Sequence, residues 1–132
     1  HAETVRANGF CFINNIAVSA RYLQKKYKVN KVAIIDFDVN HGNGTQEIFF
    51  KDQSVAYGSS HEFPLFPGTG SENETGVGNI FNATLKAGTA SKEFLAIFDT
   101  PPSTSFKASE LLSTCSRSFF LPGVSSSCSS MN

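Results

Sequence analysis

The hydrophobic and polar positions along the chain follow two periods, which predict helices and strands in alternation. From residue 14 to residue 27, apolar side chains such as Ile16, Ala20 and Tyr27 recur at three- and four-residue steps, which predicts an amphipathic helix. The next segment, Val32 to Ile35, is a continuous apolar run rich in β-branched residues. Such a run predicts a strand that is buried on both faces of a sheet.

The alternation continues through the first 99 residues of the chain. We predict helices over residues 45–50 and 91–98 and strands over residues 54–59 and 79–85, with Gly44 as the turn before the first of these helices. Strands and helices in this order are typical of proteins in which helices cover a parallel sheet. The sequence therefore predicts an α/β fold.

A polar cluster follows the buried strand directly. Asp36, Asp38 and Asn40 occupy alternate positions, so in an extended chain their side chains would point to one side. In parallel sheets covered by helices, ligands bind just beyond the carboxyl ends of the strands. Three oxygen-bearing side chains in such a place need a cation or hydrogen-bond donors to be tolerated. We therefore predict the functional site here.

Composition and charge narrow the choice of partners. The formal net charge is zero, which gives no electrostatic argument for direct binding to nucleic acid or to an anionic membrane. No apolar run has the length of a membrane span. The three cysteines, Cys11, Cys115 and Cys128, are odd in number and irregularly spaced. This pattern argues against a disulfide scaffold and favours a cytoplasmic location. Nothing in the sequence indicates the oligomeric state.

Several short motifs occur in a fixed order around the buried strand. They are H-A at residue 1, G-F-C-F-I-N-N at 9, D-F-D-V-N-H-G-N-G-T-Q at 36, S-S-H at 59, F-P-G-T-G at 66 and E-T-G-V-G-N-I at 74. Together they resemble the histone deacetylase superfamily, which includes histone deacetylases, acetylpolyamine amidohydrolases and acetoin-utilisation proteins. The resemblance covers residues 1–99. It implies a truncated fragment of such a domain, with a partial three-layer parallel sheet of the arginase/deacetylase type.

The resemblance implies catalytic roles for His1, Asp36 and Asn43. His1 corresponds to the second member of a histidine pair that acts as general base and acid, a task suited to a side chain that titrates near neutral pH. Asp36 would orient the first member of the pair, which would precede residue 1. Asn43 would accept a hydrogen bond from His1.

The resemblance also implies a zinc site. Asp38 and the residue at position 40 would be two of three protein ligands, with a later aspartate as the third and an open position for substrate. Zinc would lower the pKa of its bound water and polarise the amide carbonyl of the substrate. Position 40 is Asn40, whereas the family has histidine there. An amide oxygen is a weaker zinc donor than an imidazole, so we expect weakened zinc binding.

Further residues correspond to a second cation site and to scaffold positions. The resemblance implies that Asp36, Asp38 and Ser59 surround a structural monovalent cation such as K⁺. His41 follows Asn40 and should face away from it. We expect His41 to be packed and hydrogen-bonded, and His61 to be a hydrogen-bonded scaffold residue at a strand end.

A substrate tunnel is implied for Gly9, Phe10 and Phe66. Phe10 and Phe66 would form facing walls around the aliphatic stem of an acetyl-lysine or another acetylated amine. Gly9 would let the backbone approach the substrate closely. From the sequence without the resemblance, Gly9 and Phe10 could equally be a loop before a helix, with Phe10 in the core.

The character of the chain changes after residue 99. Residues 100–132 are rich in serine, begin with Pro101-Pro102 after Thr100, and contain F-L-P-G-V without continuing periodicity. We predict a poorly ordered tail that does not belong to the domain of residues 1–99. Two interpretations stay open, a disordered terminus and a frame-shifted translation of once homologous sequence.

Three functions follow from these observations. The first is a zinc-dependent amidohydrolase that removes acetyl groups from acetyl-lysine or another acetylated amine, incomplete and impaired in this chain. The second is a catalytically inactive remnant of such an enzyme. The third is a non-enzymatic binding protein that uses the groove between Phe10 and Phe66.

Overall fold

The computed structural model describes residues 1–99 and 120–122. Its helices and strands are, in chain order, α1 (Asn15–Tyr27), β1 (Val32–Asp36), α2 (Asn43–Phe49), β2 (Val55–Glu62), β3 (Ile80–Leu85), α3 (Ser91–Asp99) and β4 (Phe120–Pro122). None of the helices in this part of the chain is long and apolar enough to cross a membrane.

The strands form one parallel sheet in the order β3-β2-β1-β4. The pairing places Asp36 of β1 opposite Ser59 of β2, and Ser59 opposite Asn82 of β3. Because the strands are parallel, their carboxyl ends meet at one edge of the sheet, which is where parallel sheets carry their sites. The predicted parallel α/β architecture is confirmed.

Helices cover both faces of the sheet and make three layers. On one face, α1 and α2 pack against the strands, with Phe49, Ile34 and Tyr57 in the buried core. On the other face, Ala33 is packed against apolar residues that include Ile97 of α3. Burial of one large apolar side chain contributes about 2 kcal/mol, so Phe49, Ile34 and Tyr57 each stabilise the fold by roughly that amount. This arrangement confirms the three-layer sheet.

The observed bounds differ from the predicted ones at α2 and β2. Gly44, predicted as the turn before the helix, lies inside α2, which begins at Asn43. A Cβ at Gly44 would clash with the carbonyl group of Ala2, so the glycine serves close packing and not a turn. Strand β2 continues to Glu62, three residues beyond the predicted end at Ser59. The polar residues Ser60 and His61 near its end are buried, so their polarity wrongly indicated that the strand had already ended.

The structure places Phe120–Pro122 in a strand that the sequence did not predict. This segment pairs with Ala33, Ile34 and Ile35 of β1. Three residues are too few to show a period, and Pro122 is tolerated because the strand lies at the end of the described sheet. The remainder of the tail, predicted to be disordered or frame-shifted, lies outside the described residues.

Candidate functional site

A cavity of about 440 Å³ opens at the carboxyl edge of the sheet. His1, Asp36, Asp38 and Asn40 line it together. The other lining residues are Cys11, Ile13, Asn14, Asn15, Ile16, Ser19, Ile34, Gly42 and Thr45. The structure therefore gathers residues from the start of the chain and from the end of β1 in one place.

Successive side-chain-to-backbone hydrogen bonds shape the segment after β1. The Asp38 backbone N–H donates to Asp36 Oδ1 at 3.1 Å, and the Asn40 backbone N–H donates to Asp38 Oδ1 at 2.8 Å. The strand ends at Asp36, so strand alternation, which predicted that the three side chains share a side, does not operate beyond it. Two linked turns place the three side chains around the cavity instead.

The segment that carries His1 is anchored at its second residue. Ala2 is buried, and its carbonyl oxygen accepts a hydrogen bond from Asn14 Nδ2 at 3.1 Å. The Oδ1 atom of Asn14 accepts from the Ala17 N–H at 3.0 Å and caps α1. One asparagine thus ties the first residues of the chain to the start of a helix.

The hydrogen bonds of Asn43 determine the tautomer of His1. Asn43 Nδ2 donates to Glu3 Oε1 at 2.8 Å, so its Oδ1, 2.8 Å from His1 Nδ1, is the acceptor. A hydrogen bond from Arg6 is the main cause that lowers the pKa of Glu3, which keeps this carboxyl an acceptor. His1 Nδ1 therefore donates to Asn43, and Nε2 of the neutral ring carries a free lone pair.

Close packing fixes the plane of the His1 ring. Gly9 lies against the ring with φ +55°, and a Cβ at this position would overlap the imidazole. The Phe66 ring meets the imidazole edge-on, with 5.2 Å between the ring centroids. A ring held by a hydrogen bond, a backbone and an aromatic edge has little freedom to turn.

Asp36 is bonded to a residue that the sequence analysis did not select. Tyr57 donates its hydroxyl proton to Asp36 Oδ2 at 2.9 Å and accepts from the Gly42 N–H at 3.1 Å. Burial raises the pKa of Asp36 and raises the pKa of Tyr57 well above its usual range. A tyrosine in a buried strand needs a partner for its hydroxyl, which is the signal that could have identified Tyr57.

Two buried histidines join the strand ends to the long loop between β2 and β3. His41 Nε2 lies 3.0 Å from Gln46 Oε1 and its Nδ1 lies 2.8 Å from Thr69 Oγ1. His61 bonds to Gly70 O at 3.0 Å through Nε2. Burial lowers the pKa of His41 to about 4 and lowers the pKa of His61. Both histidines are buried and hydrogen-bonded, as predicted for scaffold residues.

The described residues are a poor match for a zinc ion. Within residues 1–99 and 120–122, no three histidine, cysteine, aspartate or glutamate side chains are arranged to hold a metal. Asn40 uses its amide nitrogen to donate to Phe66 O at 3.0 Å. Asp38 and an amide oxygen are a poor donor set for an ion that prefers imidazole, thiolate and carboxylate ligands. Zinc binding by Asp38 and Asn40 stays a prediction.

The proposed monovalent-cation residues lie on adjacent strands. Ser59 is paired with Asp36 across β1 and β2, and its hydroxyl lies 2.9 Å from His61 Nδ1. His61 Nε2 donates to a carbonyl oxygen, so Nδ1 accepts the Ser59 proton and leaves the serine oxygen available. This is compatible with a cation near Asp36, Asp38 and Ser59, which also stays a prediction.

The two aromatic residues of the predicted tunnel have different environments. Phe10 has φ 59° and is 96% exposed, and Phe66 is 49% exposed. In the described part of the chain, the ring contact of Phe66 is with His1, and neither phenylalanine nor Gly9 lines the 440 Å³ cavity. Facing walls formed by Phe10 and Phe66 stay a prediction.

Known proteins are similar to this chain over most of the described residues. A family model described as the histone deacetylase domain matches residues 1–110. Human histone deacetylase 9 is 47% identical over 90 residues, which are 64% of this chain and 9% of the human protein. A probable deacetylase of Archaeoglobus fulgidus is 39% identical over 103 residues, which are 75% of this chain and 28% of the archaeal protein.

The similarity extends to a solved structure. The crystal structure of the HDA15 HD domain superposes with a TM-score of 0.63 at 42% identity, and the match covers 67% of this chain and 26% of the other. The chain thus spans less than a third of the length of each of these relatives. The family match nevertheless includes the cavity, His1 and all of β1 to β3. On this evidence, the chain belongs to the histone deacetylase family.

Proposed function

We propose that the chain functions in the removal of acetyl groups from acetyl-lysine or another acetylated amine. The observation that carries this proposal is His1, which lines the cavity and is bonded to Asn43 at 2.8 Å, within a chain of the histone deacetylase family. In this proposal, His1 carries out proton transfer, and Asn40 weakens the binding of the metal. A cytoplasmic location stays part of the proposal.

Proton transfer follows from the tautomer of His1. A water molecule beside Nε2 would give a proton to the ring as its oxygen attacks the acetyl carbonyl carbon. The C–N bond then breaks, and the ring returns the proton to the leaving amine, so the products are acetate and the free amine. Asn43 holds the Nδ1 proton throughout and keeps Nε2 directed at the reaction.

Zinc is the metal that the family implies for this site. The histone deacetylase family is generally zinc-dependent, and a bound zinc ion supplies Lewis-acid activation of the carbonyl and of water. The described residues of this chain offer Asp38 as a carboxylate and Asn40 as an amide. We therefore propose that zinc is bound weakly and that turnover is slow. A monovalent cation near Asp36 and Ser59 is a second, independent proposal.

Acetate release tests the enzymatic proposal. The full chain is incubated with an acetyl-lysine peptide and excess zinc, beside a blank that contains zinc and peptide alone. We expect slow release above the blank and a loss of about a hundredfold in His1→Ala, because the base is removed. Lys25→Ala, on α1, is the matched control and should keep the wild-type rate. Release that is no faster than in the blank would overturn the proposal.

A second candidate is a non-enzymatic binding protein, or inactive remnant, that recognises acetylated amines. The observation that favours it is the amide at position 40, a weaker zinc donor than imidazole, whose Nδ2 is engaged with Phe66 O. This candidate predicts that an acetylated peptide binds more tightly than its unmodified form while no acetate is released. Equal binding of both peptides would exclude it.

A further inference from the structure

The side chain of Asn40 is held on two sides. Its backbone N–H donates to Asp38 Oδ1 at 2.8 Å, and its amide Nδ2 donates to the carbonyl oxygen of Phe66 at 3.0 Å. The second bond connects the end of β1 to a loop residue 26 positions further along the chain. Asn40 therefore has a structural partner at the place where the family has a metal-ligating imidazole.

The loop residue that Asn40 holds is the one that touches His1. The Phe66 ring contacts the imidazole at 5.2 Å, with 76° between the ring planes. Edge-on ring contacts are favourable beyond the area they bury, so this contact couples the position of Phe66 to that of the imidazole. A change at Asn40 would therefore reach His1 through Phe66.

Other anchors of this loop lie on both sides of Phe66, and on its N-terminal side the Phe63 N–H donates to Leu85 O at 2.9 Å. Thr69 bonds to His41 and Gly70 bonds to His61, three and four residues after Phe66. They fix the part of the loop that enters the buried network, whereas the backbone carbonyl of Phe66 is bonded to Asn40.

We propose that Asn40 is a positioning residue, which holds the Phe66 loop against His1 through its amide Nδ2. The role requires an N–H donor on a short, planar side chain. A carboxylate at this position has no donor and would repel the Phe66 carbonyl oxygen. This inference concerns the site of the proposed function, but it rests on the contacts alone and requires no turnover.

Ring-proton resonances of His1 test the inference directly. An aromatic edge 5.2 Å away shifts the His1 Cδ2 and Cε1 protons in the NMR spectrum of the full chain. We expect Asn40→Asp and Asn40→Ala to move these resonances toward their positions in Phe66→Ala. Asn30→Asp, in the loop before β1, is the matched control and should leave them unchanged.

The double variant Asn40→Ala/Phe66→Ala separates positioning from a general structural effect. If Asn40 acts through Phe66, the double variant has the His1 resonances of Phe66→Ala alone. Resonances that stay at the wild-type positions in both Asn40 variants would overturn the inference. So would an added shift from Asn40→Ala when Phe66 is already removed. Asn40→Asp keeps the shape of the side chain and serves as the second variant if Asn40→Ala folds poorly.

The readout distinguishes this inference from the proposed deacetylase activity. It uses no zinc, no acetylated peptide and no rate. Unmoved His1 resonances would leave the acetate-release experiment to decide the function, and a chain without turnover could still show the predicted shifts.

Discussion

At residue 40, an amide stands where the resemblance to the histone deacetylase family places an imidazole. Asn40→His should restore one nitrogen ligand beside Asp38 and raise zinc affinity by about tenfold or more, because imidazole is a stronger donor than an amide. The measurement is zinc titration of the full chain by calorimetry. Asn30→His is the matched control, since its imidazole is added before β1 at the opposite end of that strand. An equal gain in both variants would show that position 40 has no special relation to a metal site.

Single residues of the site were predictable where they belong to motifs. The order of motifs pointed to His1 and Asn43, and the structure brings them to 2.8 Å. Tyr57, which bonds to Asp36, was not found because it lies in an apolar strand outside the motifs. The bond from Asn40 to the Phe66 carbonyl also has no sequence signal, because it depends on how a distant loop folds back.

At the scale of elements, helix α2 packs its first turn against the beginning of the chain. Gly44→Ala would place a Cβ against the carbonyl group of Ala2. Helix propensity alone favours alanine over glycine by about 1 kcal/mol. The clash should outweigh this gain in helix propensity. We therefore expect the free energy of unfolding to fall by about 2 kcal/mol, as for other overpacked sites.

Urea denaturation measures this change, and Gly88→Ala is its control. Gly88 has φ +78° but open space around its Cβ position, so its substitution reports backbone strain without a clash, about 1 kcal/mol. A Gly44→Ala variant that is more stable than the wild-type chain would show that α2 and the first residues do not pack as described.

Element types were predicted better than element ends. The apolar runs and the helical period indicated α1, β1, β3 and α3, and all four are present. Strand β4 was missed because a three-residue strand has no period, and its place is decided by pairing with β1. The end of β2 was missed because its polar residues are buried in a network with the loop that follows.

At the scale of the whole molecule, the buried histidines couple stability to pH. The pKa of His41 is about 4 in the folded chain and near 6.5 when unfolded, so the unfolded chain binds more protons between these values. Its contribution is fully present above pH 6.5 and is lost as the pH falls to 4, at most about 3 kcal/mol. The lowered pKa of His61 acts in the same direction.

Asp36 acts in the opposite direction. Its pKa is raised by burial, so it is protonated more readily in the folded chain and regains some stability as the pH falls. The net effect of lower pH should still be a loss of stability, because the pKa values of two histidines are lowered and only Asp36 opposes them. Urea denaturation at pH 7 and pH 4.5 should show a lower free energy of unfolding at pH 4.5. The variant His41→Gln should reduce this difference, and the control Lys25→Ala should leave it unchanged. A stability that is equal at both pH values would contradict the assignment of His41 as a buried neutral base.

The linked turns at Asp36, Asp38 and Asn40 explain how the fold tolerates its unusual residue at position 40. The Asp36 and Asp38 carboxylates each accept a hydrogen bond from the backbone N–H two residues ahead, which shapes the cavity edge. Because the second bond uses the backbone N–H of residue 40, it does not depend on which side chain that residue carries. The same turns would present another side chain at position 40 to the cavity from the same point of the backbone.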